Sequence, residues 1–277
     1  MTRDAGPQFP AGVTVFARGT TKSTNQDARE LAIRGAPHLS LVWAERQAGG
    51  RGRGARAWHS PPGNVYWSLL LRPEAHWPAI SQLAHVSALA VHAALRPHVP
   101  ARLPVTLKWP NDVLIDGRKV AGILIEAGGV TAGTAGRLTA HWVVVGVGIN
   151  VLLHPVAGAL YPATSLAAAG STADRDRILV DLTGAFLALL GRWSAEGFGS
   201  LRQDYLERAH GLGARVTVRI SSGRDDVISG IHDGVDEHGR LLLRLDGGAV
   251  RIVSAGDVFF DAGAGQDRPR AEGDRHG

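Results

Sequence analysis

Apolar positions recur along this chain at two different periods. Short continuous runs at 13–19 (VTVFARG), 41–45 (LVWAE), 64–72 (NVYWSLLLR) and 142–151 (WVVVGVGINV) predict strands, the last of them interrupted by Gly146 and Gly148. Residues 105–127 (VTLKWPNDVLIDGRKVAGILIEA) hold two or three more: Pro110 ends the first just after Lys108 and Trp109, and Asp116–Gly117 between apolar runs predicts a hairpin. Helical spacing appears at Ala28, Leu31 and Ala32, where Ser23 and Gln26 form an S-x-x-Q capping box, Thr24 and Asp27 offer a second frame, and Gly35 and Pro37 mark the stop. A second helical stripe (Ile80, Leu83, Ala84, Ser87, Val91, Ala94, Leu95) covers 79–96. Two further helices are predicted at 174–195 and 200–209, with Ile178, Leu182, Phe186 and Leu189 or Leu190 facing inward.

After Gly211–Gly213 the period becomes two. ARVTVRI puts Val216, Val218 and Ile220 on one face, and LLLRL and AVRIV follow between DEHG and DGG turns, which predicts a small β-barrel of about fifty residues. The chain therefore divides into a flexible N-terminus (1–12), an α/β mixed-sheet domain (13–209), a small β-barrel (210–262) and a disordered tail (263–277).

Composition narrows the chemistry. The 277 residues include no cysteine, which excludes disulfides, thiolate nucleophiles and thiolate metal sites. The N-terminal residues have no apolar h-region, and the longest apolar stretch (142–153) is too short to span a bilayer, so a cytoplasmic protein without membrane attachment is expected. The net charge is +5, yet 27 of the 30 basic residues are Arg scattered among acids, which reads as solvated surface more than as a nucleic-acid stripe. Against that background the three lysines, Lys22, Lys108 and Lys119, point to places that need a compact charge. The twelve histidines show no ligand spacing, with His85 and His92 seven apart as packing or surface residues.

Residues 47–60, QAGGRGRGARAWHS, carry no apolar period but concentrate Gly49, Gly50, Gly52 and Gly54 with Arg51, Arg53 and Arg56, ending in Trp58. Guanidinium groups form paired bonds with phosphate oxygens, and glycines let backbone amides approach the same oxygens, so a loop of this kind can close over a nucleotide. Such a segment in isolation also reads as a solvated linker. Ser23, Thr24 and Asn25, at a helix N-terminus, offer donors and acceptors for a neutral polar group such as a urea or amide, besides capping the helix. In KWPND, Asn111 suits an adenine edge and Asp112 a base or magnesium ion, against the alternative of a plain turn. Lys119 lies on an inward-running strand as a snorkelling edge residue or a buried cation, Gly122 leaves room against that strand, and Glu126 reads as an exposed edge residue. GVGIN (146–150) lacks the third glycine and following helix of a dinucleotide fingerprint.

In this order the segments STNQ (23–26), QAGGRGRGARAW (47–58), KWPNDVLIDGRKVAGILIE (108–126), VVVGVGIN (143–150) and SAGDVFF (254–260) resemble the biotin protein ligases. The resemblance implies a mixed sheet like that of class II aminoacyl-tRNA synthetases with an SH3-like C-terminal barrel. It also implies a two-step reaction in which biotin and ATP give biotinyl-5′-AMP and pyrophosphate, and a lysine of a biotin carboxyl carrier protein then displaces AMP. It assigns Ser23, Thr24, Asn25, Gln47, Gly50 and Gly122 to biotin. Arg51, Gly52 and Arg53 fall on biotin and phosphate, Arg53 retaining the adenylate. Arg56, Trp58 and Asn111 fall on the adenylate, Lys119 between the biotin carboxylate and the α-phosphate, and Lys108 and Asp112 near the phosphates. Magnesium is implied as a companion of ATP, held mainly through phosphates with Asp112 as its candidate protein ligand.

Two departures stand out. About a dozen residues precede the first strand, too few for the helix-turn-helix that some members carry, so no operator binding is expected. Gly54–Ala55 replace the commoner basic-then-glycine order while Arg51, Arg53 and Arg56 keep their spacing to Trp58. The alternatives are a lipoate protein ligase and a non-catalytic nucleotide- or RNA-binding protein. A monomer and a homodimer are both compatible with the sequence, the latter by pairing of a free strand edge near 142–150.

Overall fold

Seven consecutive buried residues, VYWSLLL, are possible in a strand only where both faces are covered and both edges paired. The computed structural model, which describes residues 6–74, 79–129, 131–132, 138–156, 161–220 and 226–260, puts them there. They form β3 (Val65–Leu71), paired antiparallel with β2 (Ser40–Gln47) on one side and with β9 (Trp142–Ile149) on the other. The expected tail at 263–277 lies outside the described residues.

Seven strands make the main sheet. β1 (Thr14–Thr21) runs parallel to β2, and α1 (Thr24–Ile33) makes the crossover between them. β4 (Val105–Lys108), β5 (Asp112–Ile115) and β6 (Arg118–Gly128) form a meander, giving the order β1-β2-β3-β9-β6-β5-β4. Asp116 and Gly117 take positive φ (49° and 71°), as the two central residues of a tight hairpin require. A two-stranded ribbon, β7 (Thr131–Ala132) and β8 (Leu138–Thr139), separates β6 from β9.

The side-chain alternation of the strands sorts the core. Val42, Leu70 and Val144 meet Ala28 and Ala32 of α1, whereas Leu41, Leu69, Leu71, Val143 and Val145 face α2 (Leu83–Leu95) and α3 (Arg175–Glu196). Asp174 caps α3 by accepting from the Arg177 N–H at 2.8 Å. Leu190, not Leu189, is the buried one of the pair left open by the pattern. By length and hydropathy α3 could cross a membrane. Its Ile178, Leu179, Leu182, Phe186 and Trp193 are buried, as in a core helix.

Two expectations are corrected. β9 runs through Gly146 and Gly148 without interruption; it is the central strand of the sheet, as its apolar run predicts, so 142–150 presents no free edge for pairing subunits. The outer strands are β1 and β4, because the residues flanking β9 in space come from β3 and β6 rather than from its sequence neighbours.

After α4 (Gly199–Glu207), strands β10 (Arg215–Arg219), β11 (Val227–Val235), β12 (Leu241–Arg244), β13 (Val250–Val253) and β14 (Asp257–Phe260) pair antiparallel in the order β13-β12-β11-β10-β14. Among the described residues β13 and β14 do not pair, so the expected barrel is a five-stranded antiparallel sheet without closure. β13 leaves Val250 and Ile252 exposed, while β14 is turned toward the main sheet.

The small sheet is joined to the large domain at several points, one of them a shared carbonyl. Gly239 O accepts from Trp109 Nε1 at 3.0 Å and lies 2.6 Å from His85 Nε2. His85 sits against the rings of Phe198 and Tyr205, and burial pushes its pKa down to about 4. The imidazole is therefore neutral, with its proton on Nε2 toward the carbonyl.

Candidate active site

Glycines make the floor. The β6–β9 register sets Gly122 opposite Gly148, and no side chain rises from either. The Trp58 ring lies over both: a Cβ at Gly148 would be 2.5 Å from Trp58 Nε1, and one at Gly122 would be 3.1 Å from Trp58 Cζ3. Gly146, two residues back on β9, lies under the Asn25 amide, where a Cβ would collide with Oδ1. Above this floor opens a cleft of about 980 Å³. Ser23, Thr24, Asn25, Gln47, Gly50, Arg51, Gly52, Arg53, Arg56, Trp58, Lys108, Asn111, Asp112, Lys119 and Gly122, every candidate named from the sequence, line it.

One end of the cleft is polar and neutral. Gln47 ends β2 where α1 begins, and its Oε1 accepts from the Thr24 N–H (2.8 Å) and hydroxyl (3.1 Å) while Nε2 donates to Ser60 (3.0 Å). Asn25 Oδ1 accepts from the Ser68 hydroxyl at 2.6 Å. The expected capping box is corrected here: Ser23 occupies the N-cap, but its side chain makes no capping bond. The Gln47 amide oxygen takes one of the orphan N–H groups instead, and Gln26 turns to Glu30.

The other end is cationic. Gly54 adopts a φ of 61°, turning the loop so that Gly52 N–H meets Arg56 O at 2.7 Å. Gly50 is also obligatory, since a Cβ there would be 2.6 Å from Trp58 O. Arg53 Nη1 donates to Gly256 O (3.2 Å) and lies 3.4 Å from Asn111 Oδ1. Arg56 pairs with Asp257 at 3.0 Å. Lys119 Nζ is 2.5 Å from Asp112 Oδ1 and 5.4 Å from the Trp58 ring centroid. Lys108 Nζ stands 3.6 Å above the Tyr161 ring, and burial lowers its pKa to about 8, partly offset by Asp112. Asn111 spends one amide proton on Ile123 O at 2.7 Å. Lys22, the third lysine, packs beside Gly49 and does not line the cleft.

Glu126 is a correction. β6 is an interior strand, and the Glu126 carboxylate, expected at an exposed edge, accepts from Asn25 Nδ2 (2.8 Å) and Arg51 Nη2 (3.1 Å). Sequence reasoning also missed Tyr161 and Asp257. Tyr161 enters from the far side of the chain and donates to Val258 O at 3.0 Å, and no local spacing announces either residue. No cluster of three His, Asp or Glu side chains capable of holding a metal exists among the described residues. The cleft is lined by two carboxylates, Asp112 and Asp257, each paired with a base, a set that fits a magnesium ion carried on phosphates better than a resident metal.

A neutral polar pocket, a glycine trough and a cationic end suit a ligand with a polar neutral head, an apolar body and an anionic terminus. Residues 17–150 match the biotin/lipoate A/B protein ligase family, and residues 211–261 match the biotin protein ligase C terminal domain. The biotin–acetyl-CoA-carboxylase ligase of Paracoccus denitrificans is 36% identical over 87% of this chain and 98% of its own length. This chain belongs to the biotin protein ligases. A family member of the same name from Mycobacterium tuberculosis is 37% identical over 86% of this chain and 85% of its own. The Aquifex aeolicus biotin protein ligase, solved in complex with biotin and ATP, superposes with a TM-score of 0.74 at 27% identity, covering 89% of this chain and 97% of that one. The glycine loop, the KWPND segment and Lys119 all fall within the first family match, and Asp257 within the second.

Proposed function

We propose that this chain is an ATP-dependent biotin protein ligase that forms biotinyl-5′-AMP and transfers biotin to a lysine of a biotin carboxyl carrier protein. The observation that carries the reading is the cleft itself: amide and hydroxyl groups at one end, Lys119 and the loop arginines at the other, in a chain of this family. Ser23, Thr24, Asn25 and Gln47 hold the ureido ring, and the Gly122–Gly148 trough takes the apolar body. Lys119 stands where the biotin carboxylate and the ATP α-phosphate meet, two anions whose repulsion must be offset by fixed positive charge. A carboxylate oxygen attacks phosphorus and pyrophosphate leaves. The acceptor amine then attacks the carbonyl carbon, AMP leaves with the C–O electron pair, and the amine loses one proton. Arg53 and Arg56 face the phosphates, Gly50, Arg51 and Gly52 shape the loop around the ligand, and Trp58 and Asn111 serve the adenylate. Asp112 would be the protein ligand of a magnesium ion carried on the phosphates, which would supply charge neutralisation there.

In this reading residues 13–209 are the catalytic unit, of class II aminoacyl-tRNA synthetase type, and 210–262 a second unit of SH3 type whose short antiparallel strands support the assignment. The protein works in the cytoplasm, off the membrane and without operator DNA, as a monomer or homodimer.

Pyrophosphate release with ATP and magnesium tests the reading. Release with biotin, and not with lipoate or with neither, followed by labelling of a carrier domain at its lysine, is the expected result. Release with lipoate alone would move the specificity, and release with neither would overturn the activity. The lowered pKa of Lys108 adds a pH signature. Its charge is present below about 8 and lost as pH rises through that value. The KM for ATP is therefore expected to rise several-fold between pH 7.5 and 9, whereas Lys108→Arg, which stays charged, flattens that rise. A profile unchanged by the substitution would remove Lys108 from phosphate binding.

A further inference from the structure

We propose that Glu126 is a positioning residue for biotin, acting through Asn25 and Arg51. The inference rests on the ligase reading above. Glu126 leaves the sheet from β6 between two segments distant in sequence, the N-terminus of α1 and the glycine loop. One carboxylate oxygen accepts from Asn25 Nδ2 at 2.8 Å, and the other accepts from Arg51 Nη2 at 3.1 Å. The Glu126 side chain is 23% exposed and that of Arg51 44%, so the carboxylate is the sheltered partner of the pair.

The consequence lies in the Asn25 amide. Its two ends are nearly the same shape, and its orientation follows from its partners. A carboxylate paired with an arginine only accepts, so Glu126, the nearer acceptor at 2.8 Å with the Leu124 carbonyl at 3.4 Å beside it, has Asn25 present Nδ2 on that side. Oδ1 is thereby fixed over Gly146, against the Ser68 hydroxyl at 2.6 Å. Reversed, the amide would set its oxygen against the carboxylate and its NH₂ over the floor, which reads the opposite pattern of donors and acceptors. The same carboxylate ties down Arg51 next to that amide, so the group that reads the ligand head and the loop that covers it share one anchor.

The test uses the full-length chain and three measurements on wild type, Glu126→Gln and Glu126→Leu: biotin binding by calorimetry, KM and kcat for pyrophosphate release, and melting temperature. A glutamine offers one acceptor where two donors need one, and turns an NH₂ toward the other. The Kd and KM for biotin are expected to rise about 10- to 100-fold in Glu126→Gln, the effect of losing a charge-assisted bond. The KM for ATP and the melting temperature should change far less than the Kd for biotin. Wild-type Kd for biotin in Glu126→Gln overturns the proposal, as does a parallel rise in both KM values with a falling melting temperature, which marks a merely structural role. A wild type that binds biotin without releasing pyrophosphate overturns the ligase reading, while the two Kd values still decide the role of Glu126. A wild type that binds no biotin overturns both.

Discussion

Lys119→Ala is expected to lower biotin-dependent pyrophosphate release by about 10²–10³-fold or more, the effect of removing one group aimed at developing charge in a water-poor site. The backbone at 119 is held independently of the side chain: its N–H donates to Pro162 O at 2.8 Å and its carbonyl accepts from the Thr164 N–H at 2.9 Å. The strand therefore survives the substitution. What does change is Asp112, whose side chain is 8% exposed and loses its partner at 2.5 Å. An unpaired carboxylate in that position destabilises the protein, so the single variant should melt earlier than wild type. Adding Asp112→Asn removes the stranded charge and should restore the melting temperature, while turnover is read on Lys119→Ala alone because Asp112 itself stands at the phosphates. Near-wild-type release in Lys119→Ala would mean that Lys119 takes no part in adenylation.

Gly146→Ala is expected to weaken biotin binding by about 10- to 100-fold, from the usual overpacking cost of about 1–3 kcal/mol. The new methyl group meets the Asn25 amide, which cannot retreat because Ser68 and Glu126 hold its two ends. Gly148→Ala makes the informative contrast. Its Cβ meets Trp58, a part-buried ring at the end of the glycine loop, rather than an amide pinned at both ends. Calorimetry with biotin should rank Gly146→Ala well below Gly148→Ala. Wild-type affinity in Gly146→Ala would mean that the Asn25 end of the cleft does not hold the ligand.

Most of this site was readable because its pieces are local. The glycine loop, KWPND and Lys119 each announce themselves by a dense spacing of unusual residues, and the structure gathers all of them around one cleft. What remained hidden was pairing across the sheet. Glu126 looked like an edge residue because nothing in GILIEA says that β9 will lie beside it, and 142–150 looked like a free edge for the same reason. The capping box failed differently: the S-x-x-Q pattern is present, but Ser23 makes no capping bond, and the acceptor at the helix start is Gln47, 23 positions from Thr24 in sequence, whose amide oxygen takes the Thr24 N–H. Asp257 and Tyr161 belong to segments whose local pattern reports only strand and loop, so their arrival beside Arg56 and Lys108 is a property of the chain's path alone.

The Gly239 carbonyl gives the two sheets a common fate. A residue at 239 with any side chain would enter the His85 ring, and its φ of 78° already suits glycine alone. Separating the small sheet would strand a buried indole N–H at Trp109 and a buried imidazole at His85, each without its acceptor. Trp109 is the immediate neighbour of Lys108, so opening the joint loosens the cationic end of the cleft in the same motion. With Asp257 in the wall of the cleft and Gly256 holding Arg53, the C-terminal sheet is a structural part of that cleft rather than an appendage to it.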